Sequence, residues 1–221
     1  MLSAIADYSP FWLSLKIAGI STLAVFCLGV PAARLVMSMK RCQAIADCLL
    51  SLPLVLPPTV AGFFLLQAFG RNGWLSFLQF VFTWQGAAVA AALVSFPLMY
   101  RTARAAFEAV DPDAVNAART IGMSETEIFF RILIPNAVPG LAAGLILSFA
   151  RAVGEFGATI MMAGNIPGKT QTMSVAVYTA VQGGNNELAY AWVLLITVMS
   201  FAMILLLNVW QKRCSDKRGS R

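Results

Sequence analysis

Few side chains in this 221-residue sequence are equipped for chemistry. Arg151 and Glu155 stand out, four positions apart within the apolar run LSFARAVGEFGATIMM. That spacing places both on one face of a helix. A lone charge in such surroundings is costly, so the two are expected to pair and to face protein or water. The sequence has no histidine, which removes the commonest general base and metal ligand. Cys27, Cys42, Cys48 and Cys214 form no CxxC pair, so free thiols and no metal site are expected. Glu155 is the only carboxylate deep in an apolar stretch, so no catalytic set can be assembled. The chain is read as no enzyme, with no cofactor of its own.

A second polar group, Asn165, Lys169 and Thr170, lies in GNIPGKTQT at 164–172, with Gln171 and Thr172 beside it. Gly164, three residues, then Gly168, Lys169 and Thr170 fall one residue short of the spacer of a phosphate-binding P-loop, and no strand precedes them. Nucleotide binding is thereby set aside. The stretch reads as a loop or re-entrant segment whose polar groups either meet solvent or face a ligand.

Helices in a bilayer must position these groups. The sequence is 59% hydrophobic and 12% charged, with mean hydropathy +0.75. Several stretches run about 20 residues with apolar residues on every side. Five spans can be drawn, at 12–37, 49–69, 84–107, 137–162 and 188–210. Each is long enough, at about 1.5 Å per residue, to cross a hydrocarbon core about 30 Å thick. The fold class is therefore all-α, a polytopic transmembrane helical bundle forming one domain over 1–221. Pro53, Pro57 and Pro58 each remove a backbone donor and must bend or interrupt the second span. Gly140, Gly144, Ser148 and Ala152 put a small residue at every fourth position of the fourth, a close-packing stripe.

Met1 to Pro10 carries Asp7 and no Lys or Arg, so the first span lacks the basic lead of a signal peptide and is read as retained. Arg34, Lys40, Arg41, Arg101, Arg104, Arg119, Arg131 and the tail residues Lys212, Arg213, Lys217, Arg218 and Arg221 all fall on one side, 12 of the 16 basic residues. The positive-inside bias puts the N-terminus outside and the C-terminus in the cytoplasm. The net charge of +6 thus reports orientation and not nucleic-acid binding.

Between the third and fourth spans lies the longest polar stretch. Asp111 followed by Pro112 is a helix N-cap with proline at the first position, and Gly122 is a stop. Ser124 and Glu127 have capping-box spacing, and Ile128, Phe129, Ile132 and Leu133 form an apolar face before Pro135. NAARTIG at 116–122, nine residues, then ILIP at 132–135 resemble the EAA loop of ABC importer permeases. Ala117, Ala118, Gly122, Ile132 and Pro135 fall in register, while Asn116 stands where that family has Glu and Ile134 where it has Leu. PLVLPPTVAGFFLL at 53–66, SFPLMYR at 95–101, GEFGAT at 154–159 and AVYTAVQ at 176–182 are similar to permeases for tetrahedral oxyanions, the molybdate branch most closely.

The resemblance implies the ABC importer type I permease fold, with 111–135 as a cytoplasmic coupling loop whose apolar face enters a groove on a cytosolic ABC ATPase. That partner would bind ATP and Mg. A second copy of the chain, an extracytoplasmic oxyanion-binding protein and the lipid bilayer are the other implied partners. The implied function is the molybdate-translocating permease of an ABC importer in a bacterial-type cytoplasmic (inner) membrane, with tungstate or sulfate/thiosulfate as alternative cargo. A secondary transporter is the rival of a different class, but it should show an internal repeat, and no second copy of the 111–135 pattern is found. Arg151, Glu155, Asn165, Lys169 and Thr170 are the pathway or gate candidates. The charged pair reads as a lock within the bundle, a gate contact or a positive site on an anion path. The small-residue stripe serves packing within the chain or contact with a second copy.

Overall fold

The computed structural model describes residue 5, residues 7–39 and residues 41–219, with side chains as far as Trp210. Lys40, Cys214 and the tail cations Lys212, Arg213, Lys217, Arg218 and Arg221 therefore lie outside the described side chains. Among the described residues ten α-helices follow in order: α1 (Ser9–Ser38), α2 (Gln43–Val55), α3 (Pro58–Phe69), α4 (Trp84–Glu108), α5 (Pro112–Thr120), α6 (Glu125–Ile128), α7 (Ile134–Val153), α8 (Gly157–Ala163), α9 (Met173–Gln182) and α10 (Asn186–Gly219). One π-helical turn, Phe129–Leu133, joins α6 to α7. Among the described residues four helical paths are long and apolar enough to cross a membrane, and the pair α2 and α3, bent by 107°, raises the count to five if taken as one span.

Residue pairs establish the path of the chain. Ser21 Oγ donates to the Ala88 carbonyl at 2.9 Å, and Gly29 lies against Met99 and Tyr100, so α1 and α4 run parallel. The chain must therefore return between them. The bent pair makes that crossing: at one end Tyr100 Oη donates to Asp47 Oδ1 at 2.7 Å, and at the other Phe69 stacks on Phe80 just before α4. Helix α7 runs antiparallel to α4, with Gly140 against Ala106 and Gly144 against Met99 and Thr102. Trp192 of α10 joins the cluster of Ile17 and Ala87 at the end where α4 begins. The described bundle thus crosses five times, with its termini at opposite ends.

The break between α2 and α3 follows from its prolines. Pro57 and Pro58 have no N–H to give, and Leu56 and Pro57 adopt extended backbone with ψ of 137° and 133°, the conformation that proline imposes on its predecessor. Helix α4 forms the centre. Ala87, Ala90, Ala91 and Ala103 are fully buried, and side chains this small let α1 and α7 approach closely. The stripe on α7 serves that approach within the chain: a Cβ on Gly140 would lie 2.5 Å from that of Ala106, and one on Gly144 3.0 Å from Met99 Sδ. By contrast, only 6% of the apolar window of α10 is buried, against 61% for α4.

Two expectations are corrected. The fourth span does not run through 137–162. One continuous helical path covers Glu125–Val153, and after Gly154 the chain leaves the helix and re-forms it as α8. Gly154 and the cap made by Glu155, described below, cause the interruption. Nor does the second loop helix stop before Pro135, because the π turn passes the chain into α7 with Pro135 in its first turn, where proline's missing N–H matters least. Just beyond the polar stretch 164–172 the chain forms α9, whose Met173 and Val175 are buried and whose Met173 N–H donates to Ser14 Oγ of α1 at 2.9 Å.

Candidate functional site

The loop at 111–135 is built as its capping residues dictate. Asp111 Oδ1 accepts from the Asp113 N–H at 2.9 Å and starts α5. At its end the Gly122 N–H bonds the Arg119 carbonyl and the Met123 N–H bonds the Ala118 carbonyl, the paired closure that needs a left-handed residue between them. Gly122 supplies it with φ +85°. Ser124 and Glu127 then form the capping box, each side chain bonding the other's backbone N–H, at 3.2 and 3.0 Å.

Charges fasten this hairpin. Glu125 accepts from Arg119 Nε at 2.7 Å through Oε1 and from Arg34 Nη2 of α1 at 2.6 Å through Oε2. Arg119 also reaches Asn116 Oδ1 at 3.3 Å. Chiefly through its hydrogen bond, Arg119 holds the Glu125 carboxyl below the usual carboxylate range, with Arg34 adding a smaller part. Backbone and hydroxyl bonds from Ser124 do the same for Glu127.

The apolar face of the second loop helix is not available to a partner. Ile128 and Leu133 are buried, and Phe129 and Ile132 pack beside them against Tyr100, Phe107 and Leu141 of the bundle. Four apolar residues in one turn and a half seek the nearest core, and the helix is covalently continuous with α7, so that core is its own. Of the motif residues, Ala118 is buried, Ile132 and Ile134 are half-buried, and Asn116, Ala117, Gly122 and Pro135 are exposed. The outer surface of the hairpin also shows Ile121 at 78% and Phe130 at 62% exposure.

Arg151 and Glu155 pair as expected, Nη1 to Oε2 at 2.7 Å, but across the end of α7 and not along it. Glu155 is 2% exposed, and its Oε1 also accepts from the Ala158 N–H at 2.8 Å, which caps α8. A cap and an ion pair together satisfy a carboxylate that burial would otherwise penalise. Helix α8 rests on α3: a Cβ on Gly62 would stand 2.8 Å from Ala158 Cα, and one on Gly157 3.1 Å from Pro58 Cβ. The two helix breaks are thus side by side.

Asn165, Lys169 and Thr170 are not brought to that pair by any described hydrogen bond or ion pair. Asn165 Nδ2 donates to Thr179 Oγ1 of α9 at 2.9 Å, and buried Thr170 Oγ1 accepts from the Ile166 N–H at 3.0 Å. Lys169 is exposed. The N–H groups of Lys169, Thr170 and Gln171 all turn onto the Ile166 carbonyl, so none is aimed outward as a phosphate cradle requires. Among the described residues no group of three or more His, Cys, Asp or Glu side chains is placed to hold a metal ion.

Residues 25–218 match the family described as "Binding-protein-dependent transport system inner membrane component". This chain belongs to that family. The permease is 39% identical over 226 residues to the molybdenum transport system permease protein ModB of Escherichia coli (strain K12), covering 97% of each chain. To the sulfate transport system permease protein CysT of the same organism it is 36% identical over 177 residues, covering 77% of this chain and 64% of that protein. Among solved structures it resembles a chain of the inward-facing MetNI methionine ABC transporter, with TM-score 0.76 and 16% identity over 91% of this chain and 93% of that one. The fold is that of the ABC importer type I permeases, and the chain is a multi-pass membrane transport component.

Three polar features of the permease were not foreseen. One is the bridge from Glu125 to Arg34. Another is the cluster in which Asp47 bonds both Tyr100 and Arg104 while Arg104 also pairs with Glu108, around a cavity of about 260 Å³. Spacing of Tyr100, Arg104 and Glu108 by four was a legible signal for one helix face; their partner on α2 was not. The third is Lys16, whose Nζ lies 3.7 Å from the centroid of a Trp84 ring.

Proposed function

We propose that this permease carries molybdate across the bacterial cytoplasmic membrane as one of two copies, driven by a separate ATPase that docks on 111–135. The observation that carries the cargo assignment is the 39% identity to the molybdenum permease over 97% of both chains. The sulfate relative, covered over 64% of its length, offers weaker support for its own cargo. In this reading Asn116, Ala117, Gly122 and Pro135, with Ile121 and Phe130, form the exposed docking surface, while Ala118, Ile132 and Ile134 seat the loop on the bundle. ATP and Mg belong to the partner. The end bearing Arg34, Arg101, Arg104, Arg119 and Arg131 faces the cytoplasm, so the N-terminus is outside.

Irregular backbone at membrane depth is tolerated where it is buried or lines water. Pro57, Thr59 and Gly154 are exposed at the adjoining breaks, and this favours them as the lining of the anion path, with the Arg151–Glu155 pair bracing its wall. An outer binding protein delivers the anion to the end formed by 70–83 and 164–185, where Asn165 and Thr170 shape the loop and Lys169 is free to meet a negative charge. The test is uptake of labelled molybdate by vesicles holding the permease and its ATPase, with tungstate and sulfate as competitors. ATP-dependent, vanadate-sensitive uptake that sulfate blocks poorly is expected. Uptake without the ATPase overturns the coupling, and stronger competition by sulfate than by molybdate overturns the cargo.

A further inference from the structure

The loop lacks the family's carboxylate at Asn116, yet a carboxylate does serve that corner of the hairpin. Glu125, on the far side of the Gly122 turn, takes the Nε of Arg119 at 2.7 Å, while another N–H group of the same guanidinium reaches Asn116 Oδ1 at 3.3 Å. Its second oxygen holds Arg34 at 2.6 Å. The covalent connections of the loop lead to α4 on one side and α7 on the other, and neither leads to α1. Among the described residues, Arg34 with Glu125 is the hydrogen-bonded link between the loop and α1.

We propose that Glu125 is a positioning residue: with Arg34 it forms a releasable tie that makes α1 follow the coupling loop. Apolar packing brings the two parts together, since Val30, Ala33 and Val36 of α1 share a core with Ala118, Ile128 and Leu133 of the loop. Such packing lets surfaces slide; a charge pair with one short geometry fixes their register. The pair is placed to open and re-form during a cycle, because Arg34 is 25% and Glu125 56% exposed. An ion pair at the water's edge is weak, whereas a buried one is costly to break. The inference rests on the ATPase-driven reading above.

The measurement is ATP hydrolysed per molybdate imported by vesicles carrying the complete permease–ATPase complex. Arg34→Gln, which leaves the apolar seat and the Arg119–Glu125 pair in place, is expected to raise that ratio about two- to fivefold, the range an exposed ion pair commands. Glu125→Gln raises it at least as much, the double variant goes no further than Glu125→Gln alone, and Arg34→Lys retains the wild-type ratio. An unchanged ratio in Arg34→Gln overturns the tie, as do effects that multiply in the double variant. Equal falls in import and hydrolysis, tracking the amount of complex recovered, also overturn it by showing a merely structural role. Absence of ATP-driven import by the wild-type complex is a different failure, since it removes the functional reading on which the tie depends.

Discussion

Replacing Gly140 by Ala tests the closest approach of α4 and α7. The new Cβ would stand 2.5 Å from the Cβ of Ala106, where ordinary carbon contacts are about 3.5–4.0 Å. The helices must part locally by about 1 Å, and such overpacking costs about 1–3 kcal/mol. Ala is a better helix former than Gly by about 0.8–1.0 kcal/mol, so Gly140→Ala alone nets a loss of about 0–2 kcal/mol. Ala106→Gly alone gives up the same propensity. Combining them cancels the propensities and removes the clash, because the next atom to the new Cβ is Ala106 Cα at 3.4 Å. The coupling between the two positions is therefore about 1–3 kcal/mol in favour of the double variant. At about 2–4 °C per kcal/mol for a chain of this size, the apparent melting temperature in detergent resolves it. A double variant that melts where the sum of the single effects puts it refutes the close approach.

Arg151→Met strands a carboxylate that is 2% exposed, with one backbone N–H left to it, and approaches the loss of about 3–5 kcal/mol typical of a broken buried pair. Glu155→Gln can still cap Ala158 and still offers an amide oxygen to Arg151, which at 32% exposure is far less buried than its partner. The expected melting order is wild type, Glu155→Gln, Arg151→Met, with the double variant above Arg151→Met; equal, additive losses would mean that the pair does not act as one. At Gly122, where φ is +85° but open space surrounds the Cβ position, Asn should be tolerated best, Ala should cost about 1–2 kcal/mol and Val more. Recovery of the ATPase with the purified permease ranks these variants, and a ranking by size instead of backbone preference counts against the turn. The ratio of wild-type to Arg34→Gln coupling should be flat between about pH 6 and 8, because the Glu125 carboxyl, held below its ordinary range chiefly by Arg119, stays ionised there. With its folded value depressed below 4.5, Glu125 contributes above that value and loses the contribution as pH falls through the folded one; a step near neutrality in the ratio excludes Arg34–Glu125 as its origin.

Spans one, three and five were legible because about 20 continuous apolar residues leave few alternatives. The hairpin at 111–135 was equally plain, since Asp111, Pro112, Gly122, Ser124 and Glu127 act within four residues of their targets. The break at Gly154 was not, because apolar character continues through it and the cap that forms α8 depends on a buried side chain. Helix α9 lies between polar segments, and its burial is decided by α1 and α10, which share a core with its Met173 and Ala176. Arg34 and Glu125 are 91 positions apart, and no local pattern selects that partner from the other acids of the 111–135 loop. The inward turn of Ile128 and Leu133 was likewise invisible, since an amphipathic face shows that something is covered without showing which core covers it.

The bareness of α10 bears on how this sequence can drift. Val198, Phe201 and Leu205 are more than half exposed, and in hydrocarbon one apolar side chain replaces another without disturbing a fitted neighbour. Neutral exchange among Val, Ile, Leu and Phe should therefore accumulate on this helix while the alanines of α4 stay fixed. Any stripe of α10 that resists such exchange marks where a neighbouring chain, and not lipid, is seated.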